Sequence, residues 1–553
     1  MSYINESIIY NIYPLGFCGA PKHNDRITSS RLDKIYDWTD HLKSLGVNAV
    51  VFNPVFESSS HGYDTIDYKK IDCRLGDNKS FKKICDHLHK NGIKVLLDAV
   101  FNHVGREFFA FKDIQEKGQA SPYCSWFQNL NFGGRSPKGD PFWYEGWAGH
   151  YDLVKLNLQN PQVADYLIDC VDFWIDEFGI DGLRIDAADV MDTGFFKRLR
   201  SFADSKCGDF WMYGEMVGGD YNRIIRDNAL NSVTNYECYK GLYSSHNDHN
   251  YFEIAHSLQR QFGNGGIYKD IYTYNFADNH DVNRVASSVN DQRHLKNIYT
   301  LLYCMPGVPS VYYGSEWAVK GKRTNHSDAE LRPCLDIDNI PDADDELCKF
   351  LQRLGAVRLG LESLKYGDFE NIVIKNEQYV FRRKTASQTA YILLNLSDNP
   401  SEIGFNTEGG SVLTDVLNDN QAFDTNGYIN IEIPAHGGRI LVPNDGSFRI
   451  DGLKSIVLPK QKNNSVNEKC VKQKTAKPQK SPKPITPVEG KRYKHFKGSE
   501  YTVIAVARHS ETLEKLVIYK SDKTGDVWAR PYDMFTDIVE YDGKLVNLFA
   551  PMG

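Results

Sequence analysis

An arginine and an aspartate stand two residues apart in segment 181–189, which reads Asp-Gly-Leu-Arg-Ile-Asp-Ala-Ala-Asp. The segment has the apolar character of a short buried strand, and side chains two apart on a strand point to the same face. Arg184 and Asp186 should therefore lie together, with the guanidinium holding the carboxylate ionised. Such a carboxylate can act as a nucleophile, although a structural ion pair is the commoner meaning of the pair taken alone.

Three further apolar runs end in polar groups of complementary types. Asp98 and His103 close one run, Glu215 closes another, and His280 and Asp281 follow a third. In parallel α/β barrels, residues at the carboxyl ends of the strands meet on one face, where catalysis takes place. A single acid at such a position more commonly caps the next helix. Polar clusters on four strands weaken that simpler interpretation and predict one shared site.

The predicted site contains the groups that a retaining glycosidase needs. That mechanism uses a carboxylate nucleophile and a protonated carboxylic acid about 5 Å apart. Asp186 beside Arg184 suits the nucleophile. Glu215 has no adjacent arginine in the sequence and would be crowded by other carboxylates, so it should hold a proton near neutral pH and act as the general acid. Asp281 would bind sugar hydroxyls and stabilise the transition state, and Tyr63 offers an aromatic face for stacking.

The order of the elements predicts the scaffold that must position these groups. From Ser7 to about Glu316, short apolar runs alternate with longer segments of helical period, which is the pattern of parallel βαβ units. Eight such runs predict an α/β fold, a (β/α)8 TIM barrel, over residues 1–365. The pattern breaks in the aromatic and glycine-rich residues 104–152, which we predict to be a loop domain inserted after the third strand.

The remainder of the chain divides into three parts. Residues 366–459 contain short alternating apolar runs between Asn, Asp and Gly, which predicts an antiparallel β-sandwich. Residues 460–490 are rich in lysine and proline and cannot build a core, so we predict a flexible linker. Residues 491–553 regain alternation and aromatics, enough for one small β-rich domain. In it, His509 and Ser510 lack an evident third partner, which favours a polar turn over a catalytic pair.

Charge and cysteine usage exclude several classes of protein. The chain of 553 residues has 65 Lys and Arg against 72 Asp and Glu, a net charge of -7 that gives no signal for nucleic-acid binding. The 11 cysteines are scattered without a C-x-x-C pair, which favours reduced thiols in the cytoplasm. No charged and apolar leader and no run of about 18 apolar residues occurs, so secretion and membrane insertion are not expected.

Four short motifs follow one another in a fixed order: Asp98–His103, Gly182–Asp186, Gly214-Glu215 and Phe276–Asp281. In this combination the chain resembles the α-amylase family of glycoside hydrolases over about residues 1–450. The resemblance implies Asp186 as nucleophile, Glu215 as general acid/base and Asp281 as transition-state stabiliser. It also implies that four residues surround the first sugar: Tyr63, His103, Arg184 and His280. We add Asp98, the acid of the first motif, to this substrate-binding set.

Residues near these motifs refine the resemblance. Leu-Val-Lys-Leu-Asn at 153–157 resembles, except at its first two positions, the Met-Pro-Lys-Leu-Asn signature of neopullulanases, cyclomaltodextrinases and maltogenic amylases, which act on short maltodextrins, cyclodextrins and pullulan. Ala187 resembles members that cleave α-1,4 bonds, and Asp189-Val190 replaces the Lys-His of many secreted α-amylases. These features imply a cytoplasmic hydrolase that cleaves α-1,4-glucosidic bonds of α-glucan oligosaccharides with retention of configuration.

The resemblance also bears on cofactors and partners. It implies no required cofactor, and Asn102 matches a calcium ligand of the family. The inserted loop shows no dense acidic cluster, so ligand count leaves calcium binding open. Residues 491–553 resemble a small bacterial domain of unknown function, for which we expect a role in binding or in contact with a protein partner.

Two other functions are compatible with the motifs. Glucanotransferases and trehalose synthases of the same family form the same glycosyl-enzyme but pass the sugar to another sugar or isomerise it, so the motifs do not separate them from hydrolases. The alternative from another class is an inactive barrel kept for binding or scaffolding. The intact set of Asp186, Glu215 and Asp281 argues against that alternative.

Overall fold

The computed structural model describes residues 2–226, 229–324, 327–408, 412–444, 485–496, 498–508, 515–536, 538–541 and 544–552. The chain forms two compact units, Met1–Val457 and Leu458–Gly553. In the predicted linker, positions 460–484 lie outside the described residues, as do His509 and Ser510. Within the described ranges, no helix is long and apolar enough to cross a lipid bilayer.

Eight parallel strands form one sheet in the first unit. In chain order they are β1 (Ile9–Ile12), β2 (Ala49–Phe52), β3 (Lys94–Ala99), β4 (Gly182–Ile185), β5 (Trp211–Gly214), β6 (Ser232–Val233), β7 (Tyr274–Phe276) and β8 (Val308–Tyr312). Successive strands pair from β1 to β6, and β8 pairs with both β1 and β7. Thr234, directly after β6, bridges Tyr274 on β7 and closes the sheet. The predicted barrel is confirmed.

Helices connect the strands around the outside of the barrel. They are α1 (Ile35–Ser44), α2 (Asn78–Lys90), α3 (Pro161–Phe178), α4 (Thr193–Lys206), α5 (Asn222–Ile225), α6 (Tyr236–Asn247), α7 (Tyr251–Phe262), α8 (Leu295–Cys304) and α9 (Asp345–Gly360). Further helices cover Pro14–Phe17, Phe109–Lys117, Val285–Ser288 and Glu362–Tyr366. Local sequence explains their ends: Asp77 and Ser80 form a capping box at the start of α2, and Gly179, with φ of 68°, ends α3.

Two loops at the carboxyl ends of the strands carry small sheets of their own. After β2, the strands Phe56–Ser58 and Thr65–Ile71 form a hairpin. After β3, the strand His103–Gly105 pairs with His150–Lys155, which also pairs with Gly146–Trp147. The inserted segment predicted at 104–152 is thus anchored by strands at both of its ends, and His103 is its first paired residue.

The polypeptide after the barrel turns to antiparallel strands. They are Asp368–Ile374, Gln378–Lys384, Thr389–Asn395, Ser401–Asn406, Val412–Asp415, Gln421–Asp424, Tyr428–Ile433 and Gly438–Pro443. They form a six-stranded and a two-stranded sheet. Buried side chains from both sheets, including Tyr391, Leu393, Ile403 and Ile431, make one shared core. This arrangement agrees with the predicted β-sandwich.

The second unit is also rich in β-structure. Its five-stranded antiparallel sheet contains Arg492–His495, Glu500–Arg508, Lys515–Ser521, Val527–Pro531 and Phe549–Pro551. A short helix, Tyr532–Phe535, and a hairpin of Ile538–Tyr541 with Lys544–Asn547 accompany it. Its small core includes Tyr493, Val503, Val517, Phe535 and Phe549. The predicted β-rich character of this part is confirmed.

Candidate active site

Barrel geometry brings the predicted groups together at the carboxyl ends of the strands. Asp98 on β3 stands directly opposite Arg184 on β4 in the parallel register. Asp186 follows β4, and its N–H donates to the carbonyl of Ala99 at 3.2 Å. Glu215 follows β5, and its N–H donates to the carbonyl of Ile185 at 2.8 Å. Backbone pairing alone therefore sets these acids side by side.

One guanidinium contacts three carboxylates at this point. Arg184 Nη1 lies 2.5 Å from Asp98 Oδ2 and 3.2 Å from Asp186 Oδ1, while Nη2 lies 2.9 Å from Glu215 Oε2. Asp98 and Arg184 are 1% and 4% exposed, so both lie beneath the floor of the site. Because the guanidinium is planar and its donors have a fixed spacing, it fixes the relative positions of the acids around it.

The pKa of Asp186 is shifted in the direction opposite to the one that Arg184 alone would produce. Burial raises the pKa of Asp186 well above its ordinary range; Arg184 opposes the shift, but the charges of Glu215 and Asp98 add to it. The physical reason is that one positive charge does not offset burial together with several neighbouring carboxylates.

Glu215 is held by more donors than its sequence position suggests. Besides Arg184, the backbone N–H of Ala187 donates to Oε2 at 3.2 Å and the Tyr236 hydroxyl donates to Oε1 at 3.3 Å. Glu215 has no adjacent arginine in the sequence, but Arg184 is its neighbour in space because β4 and β5 pair with each other. Ala187 adopts a left-handed conformation with φ of 49°, which is uncommon for a non-glycine residue and is found mainly at functional turns.

An aromatic wall borders the acids. The Tyr63 ring stacks on His280 at 5.6 Å between centroids, and Tyr13 stacks on the same imidazole at 5.9 Å. The Tyr63 hydroxyl donates to Asp98 Oδ2 at 3.1 Å and also contacts Nε2 of His280. Asn53 donates to the same Asp98 oxygen at 3.0 Å. Tyr13 and Asn53 were not predicted, since they close the first two strands as isolated polar or aromatic residues.

Asp281 has two cationic or potentially cationic neighbours. His280 Nε2 lies 2.9 Å from Oδ2, and Arg332 Nη2 lies 3.0 Å from Oδ1. Burial alone would raise the pKa of Asp281. His280 and then Arg332 outweigh the effect of burial and hold this pKa well below its ordinary range. Asp281 is therefore ionised at neutral pH. Arg332 was missed because it lies in the irregular stretch after β8, where no periodicity marks it.

His103 is buried at the base of the inserted loop. Its ring stacks on Trp147 at 6.1 Å, and Asn102 Nδ2 donates to its Nδ1 at 3.1 Å. Burial lowers the pKa of His103 to about 3, so the ring is neutral at physiological pH. With Nδ1 accepting, Nε2 carries the proton, and it has no hydrogen-bond partner within the described part of the chain. A neutral donor is thus available near the aromatic wall.

Asn102, the predicted calcium ligand, contacts protein groups through its side chain and its backbone. Its side-chain nitrogen faces His103, and its backbone carbonyl accepts from the N–H of Leu156. Calcium takes six to eight oxygen ligands, several of them carboxylates. Among the described residues, the clusters of three or more metal-ligating side chains are Asp291, His294 and His436, and Glu57, Asp72 and Cys73, neither of which includes a neighbour of Asn102 in sequence. Calcium binding by Asn102 stays an untested prediction.

An α/β barrel whose strand ends gather acids, an arginine and histidines beside an aromatic wall is the architecture of a glycoside hydrolase. Residues 11–346 match the family model described as the α-amylase catalytic domain. Since this match covers more than half of the chain, the protein belongs to the α-amylase family. Residues 491–551 match a second family, described as a protein of unknown function. Both resemblances drawn from the sequence motifs are confirmed.

Cyclomaltodextrinases and a maltogenic amylase are among the similar proteins. A cyclomaltodextrinase from a Bacillus species is 29% identical over 415 residues, which cover 71% of this chain and 73% of the relative. An intracellular maltogenic amylase from Bacillus subtilis is 31% identical over 376 residues, covering 64% of this chain and 62% of the relative. A solved structure named cyclomaltodextrinase superposes with a TM-score of 0.70 and 25% identity over 80% of this chain and 78% of its own.

Proposed function

We propose that this chain hydrolyses α-1,4-glucosidic bonds in short maltodextrins, cyclodextrins and pullulan, with retention of configuration through a covalent glycosyl-enzyme. The observation that carries the proposal is the single guanidinium of Arg184, which lies 3.2 Å from Asp186 and 2.9 Å from Glu215. A retaining mechanism needs two carboxyl groups close together, and a shared arginine holds them so. The names of the relatives, cyclomaltodextrinase and maltogenic amylase, support the substrate class.

In this mechanism Asp186 attacks the anomeric carbon while Glu215 gives its proton to the glycosidic oxygen. The bond to the leaving sugar breaks, and an ester between Asp186 and the glucosyl unit forms. Glu215, now ionised, then takes a proton from water, which attacks the same carbon and releases Asp186. Positive charge that develops on the sugar would stabilise the ionised form of Asp186 in the transition state.

The remaining predicted residues have supporting roles in the proposal. Ionised Asp281 would bind sugar hydroxyls and stabilise the oxocarbenium-like transition state. Tyr63 would stack on the sugar ring, and His103 and His280 would donate hydrogen bonds to its hydroxyls. Asp98 is almost fully buried, and its oxygen is already bound by Arg184, Tyr63 and Asn53. We therefore propose that Asp98 affects the substrate by positioning Arg184 and Tyr63.

The proposal extends to compartment, cofactor and partner. A cytoplasmic location is supported by the relative named as intracellular and by the cysteines, none of which forms a disulfide within the described residues. Enzymes of this family need no organic cofactor. No step of the mechanism runs through a metal ion. The β-rich domain predicted at 491–553 would serve as a contact for a protein partner.

The substrate class can be tested by incubating the purified full-length chain with maltotriose, pullulan and β-cyclodextrin in parallel, with starch as reference. We expect faster cleavage of pullulan and cyclodextrin than of starch, with glucose and maltose from maltotriose. Proton NMR of the first products should show the α-anomer, as retention requires. If maltotriose gave longer oligomers or trehalose, the chain would be a transglycosylase of the same family and not a hydrolase. Inertness on both pullulan and cyclodextrin would overturn the substrate assignment.

A further inference from the structure

Two histidines and an aspartate converge where the barrel meets the β-sandwich of the first unit. Asp291 and His294 lie in the turn that leads into α8, and His436 lies in the turn before the strand Gly438–Pro443. Their nearest ligand atoms all lie within 4.8 Å of one another. The two elements are far apart in sequence, so the fold itself creates this cluster, which shares no residue with the candidate active site.

His294 is the buried member of this histidine cluster. It is 1% exposed, and neither of its ring nitrogens makes a hydrogen bond of normal geometry within the described part of the chain. Both ring nitrogens are therefore open to a further partner. A buried imidazole in this state is uncommon unless something else satisfies it.

His436 presents its ring in an orientation typical of a metal ligand. Its Nε2 lies 3.0 Å from Asp398 Oδ1, while its Nδ1 is buried and has no hydrogen-bond partner among the residues that the structure describes. A carboxylate that accepts from one ring nitrogen fixes the tautomer and leaves the other nitrogen as a lone-pair donor. Most metal-binding histidines have such a second partner.

Asp291 is the carboxylate of the cluster. Its two oxygens accept four hydrogen bonds from Arg293, one from the backbone N–H, two from Nε and one from Nη2. The Arg293 guanidinium also lies 3.0 Å from Asp398, and its side chain is 59% exposed. Because a carboxylate has about four lone-pair positions, a cation binds Asp291 when this exposed guanidinium turns away into solvent.

We propose that Asp291, His294 and His436 bind a divalent transition-metal ion of the zinc type, which links the barrel to the β-sandwich. Two imidazoles and one carboxylate suit Zn²⁺, Co²⁺ or Ni²⁺, whereas Ca²⁺ and Mg²⁺ prefer oxygen ligands. Zinc bonds of about 2.0–2.2 Å require the ligand atoms to approach each other slightly, which small rotations of the side chains allow. Three protein ligands leave the fourth tetrahedral position to water or to a neighbouring group. The ring of His249, 5.4 Å from that of His294, is such a neighbour.

The second cluster of metal-ligating groups does not compete for this role. Glu57 accepts from Arg26 and from the N–H of Cys73, and Asp72 forms a buried pair with Arg74 at 2.7 Å. Both acids are neutralised by protein cations, and the Cys73 thiol keeps its proton because burial raises its pKa. The histidine cluster differs because two of its three groups are imidazoles with ring nitrogens that have no hydrogen-bond partner among the described residues, and because the arginine on its one carboxylate is exposed.

The experiment measures Zn²⁺ binding by isothermal titration calorimetry to the metal-free full-length chain without a histidine tag. Thermal unfolding is recorded with and without the ion. We expect one high-affinity site per chain and a higher Tm with Zn²⁺. His294→Gln and His436→Gln should each abolish that site, whereas His23→Gln, which alters an exposed histidine, should leave it intact. Asp398→Asn should weaken binding about 10–100-fold, as loss of a partner to a ligating histidine does.

Two further measurements separate a metal site from a structural contact. Arg293→Ala removes the cation that shares Asp291, so it should tighten Zn²⁺ binding. Co²⁺ bound to the chain should show the intense visible absorption of a tetrahedral site, and this should disappear in His294→Gln. The absence of a stoichiometric site in the wild-type chain would overturn the proposal. The proposal would also be overturned if Zn²⁺ binding survived both histidine substitutions in variants whose metal-free Tm shows that they are folded.

Discussion

Arg332 lies with its Nη2 3.0 Å from Oδ1 of Asp281 and with its guanidinium 4.5 Å from the centre of the Tyr13 ring. Its Nε donates to the carbonyl of His280 at 3.1 Å. Arg332 therefore holds the backbone carbonyl of His280 and the side chain of the predicted stabilising acid at once, although it comes from a loop about fifty positions further along the chain.

Replacing Arg332 by Gln should lower kcat/KM on maltotriose about 10²-fold, since a displacement of about 1 Å in a catalytic group costs that much. Arg332→Lys should recover part of the loss, because it keeps the charge but not the fork of donors. Steady-state kinetics with both variants checks this. Equal activity of wild type and Arg332→Gln would show that Asp281 is positioned by His280 alone.

The two acids on Arg184 can be tested separately. Glu215→Gln should reduce kcat by about 10²–10⁴-fold, the usual contribution of a general acid/base, and Asp186→Ala should reduce hydrolysis to background because no glycosyl-enzyme can form. Asp165→Asn, at a surface acid whose side chain is 69% exposed, is the matched control and should retain wild-type rates. Unchanged hydrolysis in either active-site variant would exclude the proposed roles.

Asp186 and Asp281 should affect stability in opposite directions. Burial raises the pKa of Asp186 in the folded chain above its value in the unfolded chain, which is about 4. Ionisation of Asp186 therefore destabilises the fold progressively as the pH rises from about 4 to the pKa of the folded state. The pKa of Asp281 is lowered on folding, because its cationic neighbours outweigh the effect of burial. Its contribution to stability is therefore present above about pH 4 and is lost as pH falls through the lower value.

At pH 7, Asp186→Asn should thus raise the free energy of unfolding, by about 1 kcal/mol, and Asp281→Asn should lower it. Denaturant unfolding at pH 7 and at pH 4 checks this, since both differences should shrink at the lower pH. A destabilised Asp186→Asn variant at pH 7 would mean that the ion pair with Arg184 outweighs the cost of burying the acid.

Much of the fold could be predicted from the sequence because its signals are local. The helix Pro161–Phe178 is marked in the sequence by Pro161 and Gly179, which stand at its two ends. The helix α8 lacks such end signals, since it begins at Leu295 without a proline and Met305 rather than a glycine follows it. The bridge that closes the barrel involves only Thr234 and Tyr274, too few residues to leave a pattern.

The candidate site was predictable in its members but not in its contacts. The predicted acids, Arg184 and His280 meet because strand ends of a barrel converge, which is a general rule. The approach of Arg184 to Glu215 depends on which strands are neighbours, and the raised pKa of Asp186 depends on burial. Neither can be read from spacing. Arg332 and Tyr236 reach the site from loops and helices whose course the sequence does not define.

The left-handed turn at Ala187 yields the last prediction. Its φ of 49° points the backbone N–H at Glu215 Oε2, so the conformation directly after the predicted nucleophile positions the predicted acid. A β-branched side chain is a conformational outlier there. Ala187→Val should therefore displace Glu215 and lower kcat about 10²-fold, while Ala187→Gly, which permits the same φ, should keep most of the activity. Steady-state kinetics on maltotriose, with Tm as a measure of folding, compares the two. If Val and Gly variants were equally active, the turn would not be what positions Glu215.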